Sequence, residues 1–172
     1  MSEGFVAHYI EPLTSDEVAA TLARLESAGF SVENQLTHDV TTLDDAGDQR
    51  RTDTSELTRT LADVETGQRV TFQIWINESV DVVCSYTRLA KELAVIRYYL
   101  DGLLPQQKET AIAAISSQLG CVEPRTTAFA VDRRGAAIDL DLDALVTAGL
   151  TDRRSFTFPG DVLLIGWGPE RQ

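Results

Sequence analysis

The chain has 172 residues, 27 Asp and Glu against 15 Lys and Arg, and a formal net charge of −12. At 43% hydrophobic and 24% charged residues it has an ordinary globular composition, and a chain of this length buries roughly two thirds of its unfolded surface without needing disulfides or a metal. The longest apolar stretch, around Val162 to Trp167, is far below the ~18 residues a membrane span needs, and Met1-Ser2-Glu3-Gly4 carries neither a basic run nor an apolar leader core, so a cytoplasmic, membrane-free protein is expected. The two cysteines, Cys84 and Cys121, are read as reduced thiols.

Phe5 to Ile10 predicts a strand. Thr14 and Glu17 form a capping-box pair that predicts a helix carrying Val18, Leu22 and Leu25, stopped at Gly29 before Phe30-Ser31-Val32 resumes an extended pattern. This opening reads as a βαβ unit. Residues 37–55, rich in Thr, Asp, Gly and Arg, predict an exposed loop, followed by a short helix between Ser55 and Val64 with Leu57 and Leu61 on one side.

Arg69 to Thr87 predicts a hairpin. An odd-length loop around Asn77-Glu78-Ser79 pairs Ile76 with Val80, Ile74 with Val82, Phe72 with Cys84 and Val70 with Tyr86, which makes one face wholly apolar and turns Cys84 inward. Trp75 then lies on the other face with Thr71, Gln73 and Asp81, where it needs cover or forms part of a binding surface. Leu89 to Leu104 fits both periods, because Leu89, Leu93, Ile96 and Leu100 suit a helix while Val95 to Leu100 has strand composition; a strand is the preferred reading. Pro105 opens a helix with Ala111, Ile112, Ile115 and Leu119 as its apolar stripe, closed by Gly120.

Thr127 to Leu140 predicts a second hairpin, with Asp132-Arg133-Arg134-Gly135 as the loop and with Val131 opposite Ala136 and Phe129 opposite Ile138. A short helix follows, capped by Asp141 or Asp143 and stopped at Gly149. Phe156-Thr157-Phe158, a turn at Pro159-Gly160 and Val162 to Trp167 end the chain as strands. The expected fold is a single α+β domain: a mostly antiparallel sheet with two main helices packed on one face and the βαβ unit at the N-terminus.

No motif singles out a chemistry. Zinc needs four closely spaced ligands, and His8, His38, Cys84 and Cys121 are isolated. Asp139, Asp141 and Asp143 imitate an EF-hand start, but Ala144 and Leu150 occupy positions that require Gly and Glu. Gly166-Trp167-Gly168 has no following helix to make a dinucleotide site, and there is no P-loop or nucleophile elbow. Cysteine chemistry with His8 or His38, or a base at His38-Asp39, has no support from spacing. No catalytic residue, metal or cofactor is therefore expected, and the reading leans away from an enzyme.

The acid is unevenly placed, with ten acidic and two basic residues in positions 1–50. Such a field repels a phosphate backbone and attracts a basic protein, so direct nucleic-acid binding is not expected. The leading expectation is a non-enzymatic interaction module that presents an acidic surface to a basic protein, as an immunity protein or inhibitor would, with Asp44, Asp45, Asp48 and Trp75 as partner contacts. The alternative is a small-molecule-binding domain or unrecognised enzyme with a pocket between sheet and helices, where Arg133, Arg134, Tyr98 and Tyr99 are candidate anion or ligand contacts. The doublets Arg50-Arg51 and Arg153-Arg154 carry the same possibility. A structural subunit of a larger assembly, using Trp75 and Trp167, is the third reading.

Overall fold

A computed structural model describes the backbone of residues 4–118, 125–149, 154–158 and 162–166. The chain runs β1 (Phe5–Ile10), α1 (Ser15–Ser27), β2 (Val40–Leu43), β3 (Gln49–Thr52), α2 (Thr54–Ala62), β4 (Arg69–Asn77), β5 (Val80–Ala90), β6 (Leu93–Tyr99), α3 (Pro105–Ser117), β7 (Thr126–Asp132), a 3-10 turn (Ala136–Asp139), α4 (Leu142–Thr147), β8 (Arg154–Phe158) and β9 (Val162–Gly166). All nine strands join one sheet in the order β3-β2-β4-β5-β6-β1-β7-β9-β8, and every strand pair is antiparallel. This is the expected α+β class.

The sheet buries side chains on both faces. On one, Val6, Ile10, Phe72, Ile74, Val82, Cys84, Tyr86, Ile96 and Tyr98 meet α1, α2 and α3 through Val18, Leu22, Leu25, Leu57, Leu61, Ala111, Ile112 and Ile115. On the other, Ala7, Tyr9, Val95, Ala128, Ala130 and Leu164 meet the short α4 through Leu142 and Val146. The 13-residue helices α1 and α3 thus share one face with α2, as the apolar stripes of the sequence require.

Local signals act as their chemistry dictates. The Glu17 carboxylate accepts from the Thr14 amide at 2.7 Å and fixes the start of α1, and Gly29 ends it at φ +95°. Asp53 and Asp141 accept from the amides of Glu56 (2.8 Å) and Ala144 (2.9 Å) to cap α2 and α4. Residues 93–99 form a strand. Leu119, Gly120, Cys121, Pro159, Gly160 and Trp167 lie outside the described residues.

The central hairpin pairs Val70 with Tyr86, Phe72 with Cys84 and Ile74 with Val82, as the alternation predicts. At its end the expected Ile76–Val80 pair is replaced by Asn77–Val80, with a bulge between Trp75 and Asn77. Asn77 Oδ1 accepts from the amides of Ser79 and Val80 at 3.0 and 2.9 Å and closes a two-residue loop. The bulged residue restores the odd count that keeps the apolar faces aligned.

Three expectations are corrected. Residues 37–55 contain the β2–β3 hairpin and the start of α2, with Val40 fully buried; its tip at 45–48 is exposed. The second strand of the N-terminal βαβ unit shrinks to one antiparallel bridge, Ser31 with Trp75, so no clear βαβ unit forms. The hairpin expected over 127–140 is not made: β7 ends at Asp132, whose fully buried carboxylate accepts from the amides of Arg134 (3.0 Å), Ala136 (3.0 Å) and Ala137 (2.8 Å). Those bonds wrap the chain into the 3-10 turn, with Gly135 at φ +69°, and β7 instead takes β9 as its neighbour.

Asp132→Ala would strand three amide donors beside a buried cavity and is expected to lower unfolding stability by about 3 kcal/mol, with Asp132→Asn losing less because it keeps one acceptor oxygen. Urea titration of both variants checks this, and an unchanged midpoint for the alanine variant refutes the role. Gly4, at φ +118°, leaves no space for a side chain, since a Cβ would lie 2.5 Å from the Asp132 carbonyl oxygen. Gly4→Ala is expected to destabilise by more than about 1 kcal/mol in the same assay.

Candidate functional site

The helix-bearing face of the sheet is not fully packed. Between α1 and the strands β1 and β6 lies a cleft of about 330 Å³. Its floor is His8 and Ile10 of β1 with Ile96 and Tyr98 of β6, brought side by side by the pairing of His8 with Ile96 and Val6 with Tyr98. One wall is the flank of α1 made by Glu17, Ala20, Thr21, Arg24 and Leu25, a stripe set by helical spacing beside the buried row of Val18 and Leu22. Glu11, Leu13, Gln118 and Arg125 complete the rim.

Each polar group in the cleft is held differently. His8 is 6% exposed; its Nε2 lies 2.9 Å from Thr126 Oγ1 and its ring meets Phe129 edge-on at 5.8 Å. Thr126 reaches this face because the β1–β7 register shifts between Tyr9 and Ile10, which sets Thr126 opposite Ile10. Burial, aided by the positive charge of Arg24, lowers the His8 pKa from 6.5 to about 4, so the ring is neutral at pH 7. Tyr98 is 3% exposed, its pKa is raised mainly by burial, and its hydroxyl has no hydrogen-bond partner among the described residues. It is a neutral donor facing the cleft.

The two arginines differ in the same way. Arg125 is neutralised by Glu17 and by Glu11 (3.3 Å) and donates to the Pro12 carbonyl at 3.4 Å. Arg24, half-buried in the last turn of α1, donates to Thr21 Oγ1 at 2.9 Å and has no carboxylate partner among the described residues. Arg24 lines the same cleft as His8 and Tyr98, where its charge adds to burial in lowering the His8 pKa and partly offsets the burial that raises that of Tyr98. The cleft therefore offers one cation with no carboxylate partner among the described residues, one neutral hydroxyl and one neutral imidazole beside the apolar Ile10, Leu13, Leu25 and Ile96.

The residues singled out from sequence are spread over the molecule. Asp44 organises the β2–β3 turn: its Oδ1 accepts from the amides of Ala46 and Asp48 at 3.0 Å, and Arg50 reaches its Oδ2 at 3.2 Å. Those backbone bonds, with Arg50 behind them, lower its pKa. Asp45 is fully exposed 3.8 Å from Arg69, and Asp48 is exposed on the same tip. Trp75 is half-buried on the opposite face of β4 from Phe72 and Ile74, and its buried Nε1 has no hydrogen-bond partner among the described residues. Tyr98 lines the cleft, but Tyr99 faces the other side, where its hydroxyl lies 3.3 Å from Ser85 Oγ. Arg133 pairs with Glu109 at 3.4 Å, and the Arg134 amide serves the Asp132 turn. Of the eight, only Tyr98 belongs to the cleft.

Cys84 is fully buried and its thiol pKa is raised, first by burial and then by Asp81. His38 is exposed in a left-handed turn at φ +57°. Among the described residues no three His, Cys, Asp or Glu side chains come together as a metal site, and no helix is long and apolar enough to cross a membrane. No family model, curated protein or solved structure matches the chain.

The buried histidine sets a pH dependence. Unfolded His8 takes a proton near pH 6.5 and folded His8 only near 4, so the unfolded state binds more protons between these values and stability falls as pH is lowered through that window. A difference of this size is worth about 3 kcal/mol at its limit. Thermal melts from pH 7 to pH 4 are expected to fall more steeply for the native chain than for His8→Gln; parallel slopes would refute the assignment.

Proposed function

We propose that this protein is a small-molecule-binding domain whose ligand sits between α1 and the sheet. The observation that carries the reading is the 330 Å³ cleft in which Tyr98, His8 and Arg24 converge over apolar walls. Ligand clefts are commonly of about 300–1,000 Å³, mostly apolar, with a few placed polar groups, so the volume fits one small molecule. The floor supports it too, because β1 and β6 are paired along their full lengths and form a stiff platform. No step of bond making is assigned to these groups: the reading is recognition, not catalysis.

The acidic-module reading draws on Asp45 and Asp48, exposed at the tip of the hairpin beside the sheet edge. It has less behind it. Asp44 is spent on the turn, and Arg50, Arg51 and Arg69 stand among these acids, with Arg51 3.5 Å from Asp39. Salt-sensitive capture of one stoichiometric basic protein, lost on Asp45→Lys with Asp48→Lys, would favour it over the cleft.

Ala20 is exposed on α1 and borders the cleft, so Ala20→Trp is expected to fill the mouth without removing core contacts. Protein equilibrated with a host metabolite extract, washed and denatured should release a small molecule that mass spectrometry detects, and the Ala20→Trp protein should release none. A ligand present at 100-fold over its Kd stabilises by about 2.7 kcal/mol, which a thermal melt resolves. Equal retention by both proteins would place the ligand elsewhere and defeat the reading.

A further inference from the structure

We infer that the ligand is a small monocarboxylate with an apolar body, its carboxylate held by the Arg24 guanidinium and the Tyr98 hydroxyl. The inference rests on the cleft being a ligand site and adds the chemical class. Arg24 and Tyr98 both have open capacity among the described residues: the guanidinium has one internal bond, to Thr21, and the 3% exposed hydroxyl has none. A half-buried guanidinium with no anion among the described residues can be answered by a carboxylate with two parallel N–H···O bonds. The phenol then donates to a carboxylate oxygen, a charge-assisted bond.

Among the described residues the ionised groups of the cleft sum to zero, and it is their placement that favours one negative charge near Arg24: Glu11, Glu17 and Arg125 form their own cluster at the start of α1. Glu17 lies seven residues before Arg24, about 10 Å along the helix, so it leaves the Arg24 end positive. A phosphate dianion would face a single guanidinium and the neutral His8 ring, with no second cation at that end among the described residues. Ile10, Leu25 and Ile96 offer the apolar body a surface and no hydrogen bonds.

The test uses hexanoate and benzoate at pH 7, each against its uncharged amide, hexanamide and benzamide. Titrations of isotopically labelled protein are followed by amide chemical shifts at Ala20, Thr21 and Ile96. The acids are expected to bind at least tenfold more tightly than the amides, Arg24→Gln to abolish that preference, Arg24→Lys to keep part of it, and Tyr98→Phe to weaken the acids severalfold; Arg24→Lys also guards against a folding defect. Amides that bind as well as acids, or acids unaffected by Arg24→Gln, would overturn the carboxylate inference and leave the cleft as a ligand site. Shifts that persist in Ala20→Trp, or no binding by acids or amides at millimolar concentration, would overturn both.

Discussion

Strand β1 is the element on which the sheet depends. It lies between β6 and β7, with all six of its residues paired on both sides, and among the described residues it is the one link in the ladder between the five strands β2 to β6 and the three strands β7 to β9. Its alternation serves both cores at once: Val6 and Ile10 face the three helices, Ala7 and Tyr9 face α4. Tyr9 donates to Asp143 at 2.8 Å, and Asp143 also pairs with Arg97, so the second layer is tied to the same strand. His8 occupies a position where an apolar residue would pack, and Thr126 and Phe129 are its compensation. A strand paired on both sides thus carries part of the cleft floor and holds His8 in place there.

Much of the acid excess has architectural work. Glu17, Asp44, Asp53, Asp132 and Asp141 each accept a backbone amide at a helix start or a turn, where N–H groups would otherwise lack partners. Net charge read from composition counts these carboxylates as surface field. Their bonds show that part of the charge is directed at the chain itself, which weakens the link between an acidic pI and a basic partner.

What could be read in the sequence was local. The capping pair at Thr14 and Glu17, the Asp141 cap, the strand alternation around Phe72 and Cys84, and the proline start of α3 depend on neighbours in the chain and came through. Asp132 misled because its role depends on burial: an Asp before Arg-Arg-Gly reads as a hairpin loop until β9 takes the edge that the returning strand would have used. In residues 37–55, Val40 and Leu43 were too few to signal a strand pair whose partner, β4, lies further along the chain. The cleft was legible only through Tyr98. Glu17, Thr21 and Arg24 follow helical spacing, yet the same spacing describes any solvated helix flank, and the register shift that turns Thr126 toward His8 leaves no trace in composition.

The Arg50-Arg51 doublet acquires a different meaning from its position. It occupies the middle of β3, a four-residue strand with one open edge at the end of the sheet. Two copies of this chain pairing edge to edge about a two-fold axis through Arg50 or through Arg51 would set that arginine directly beside its own copy. Like charges directly opposite across strands repel, and short charged edges resist the addition of further strands. A nine-stranded sheet with this border ends where the arginines stand, and growth by addition of strands at β3 is disfavoured.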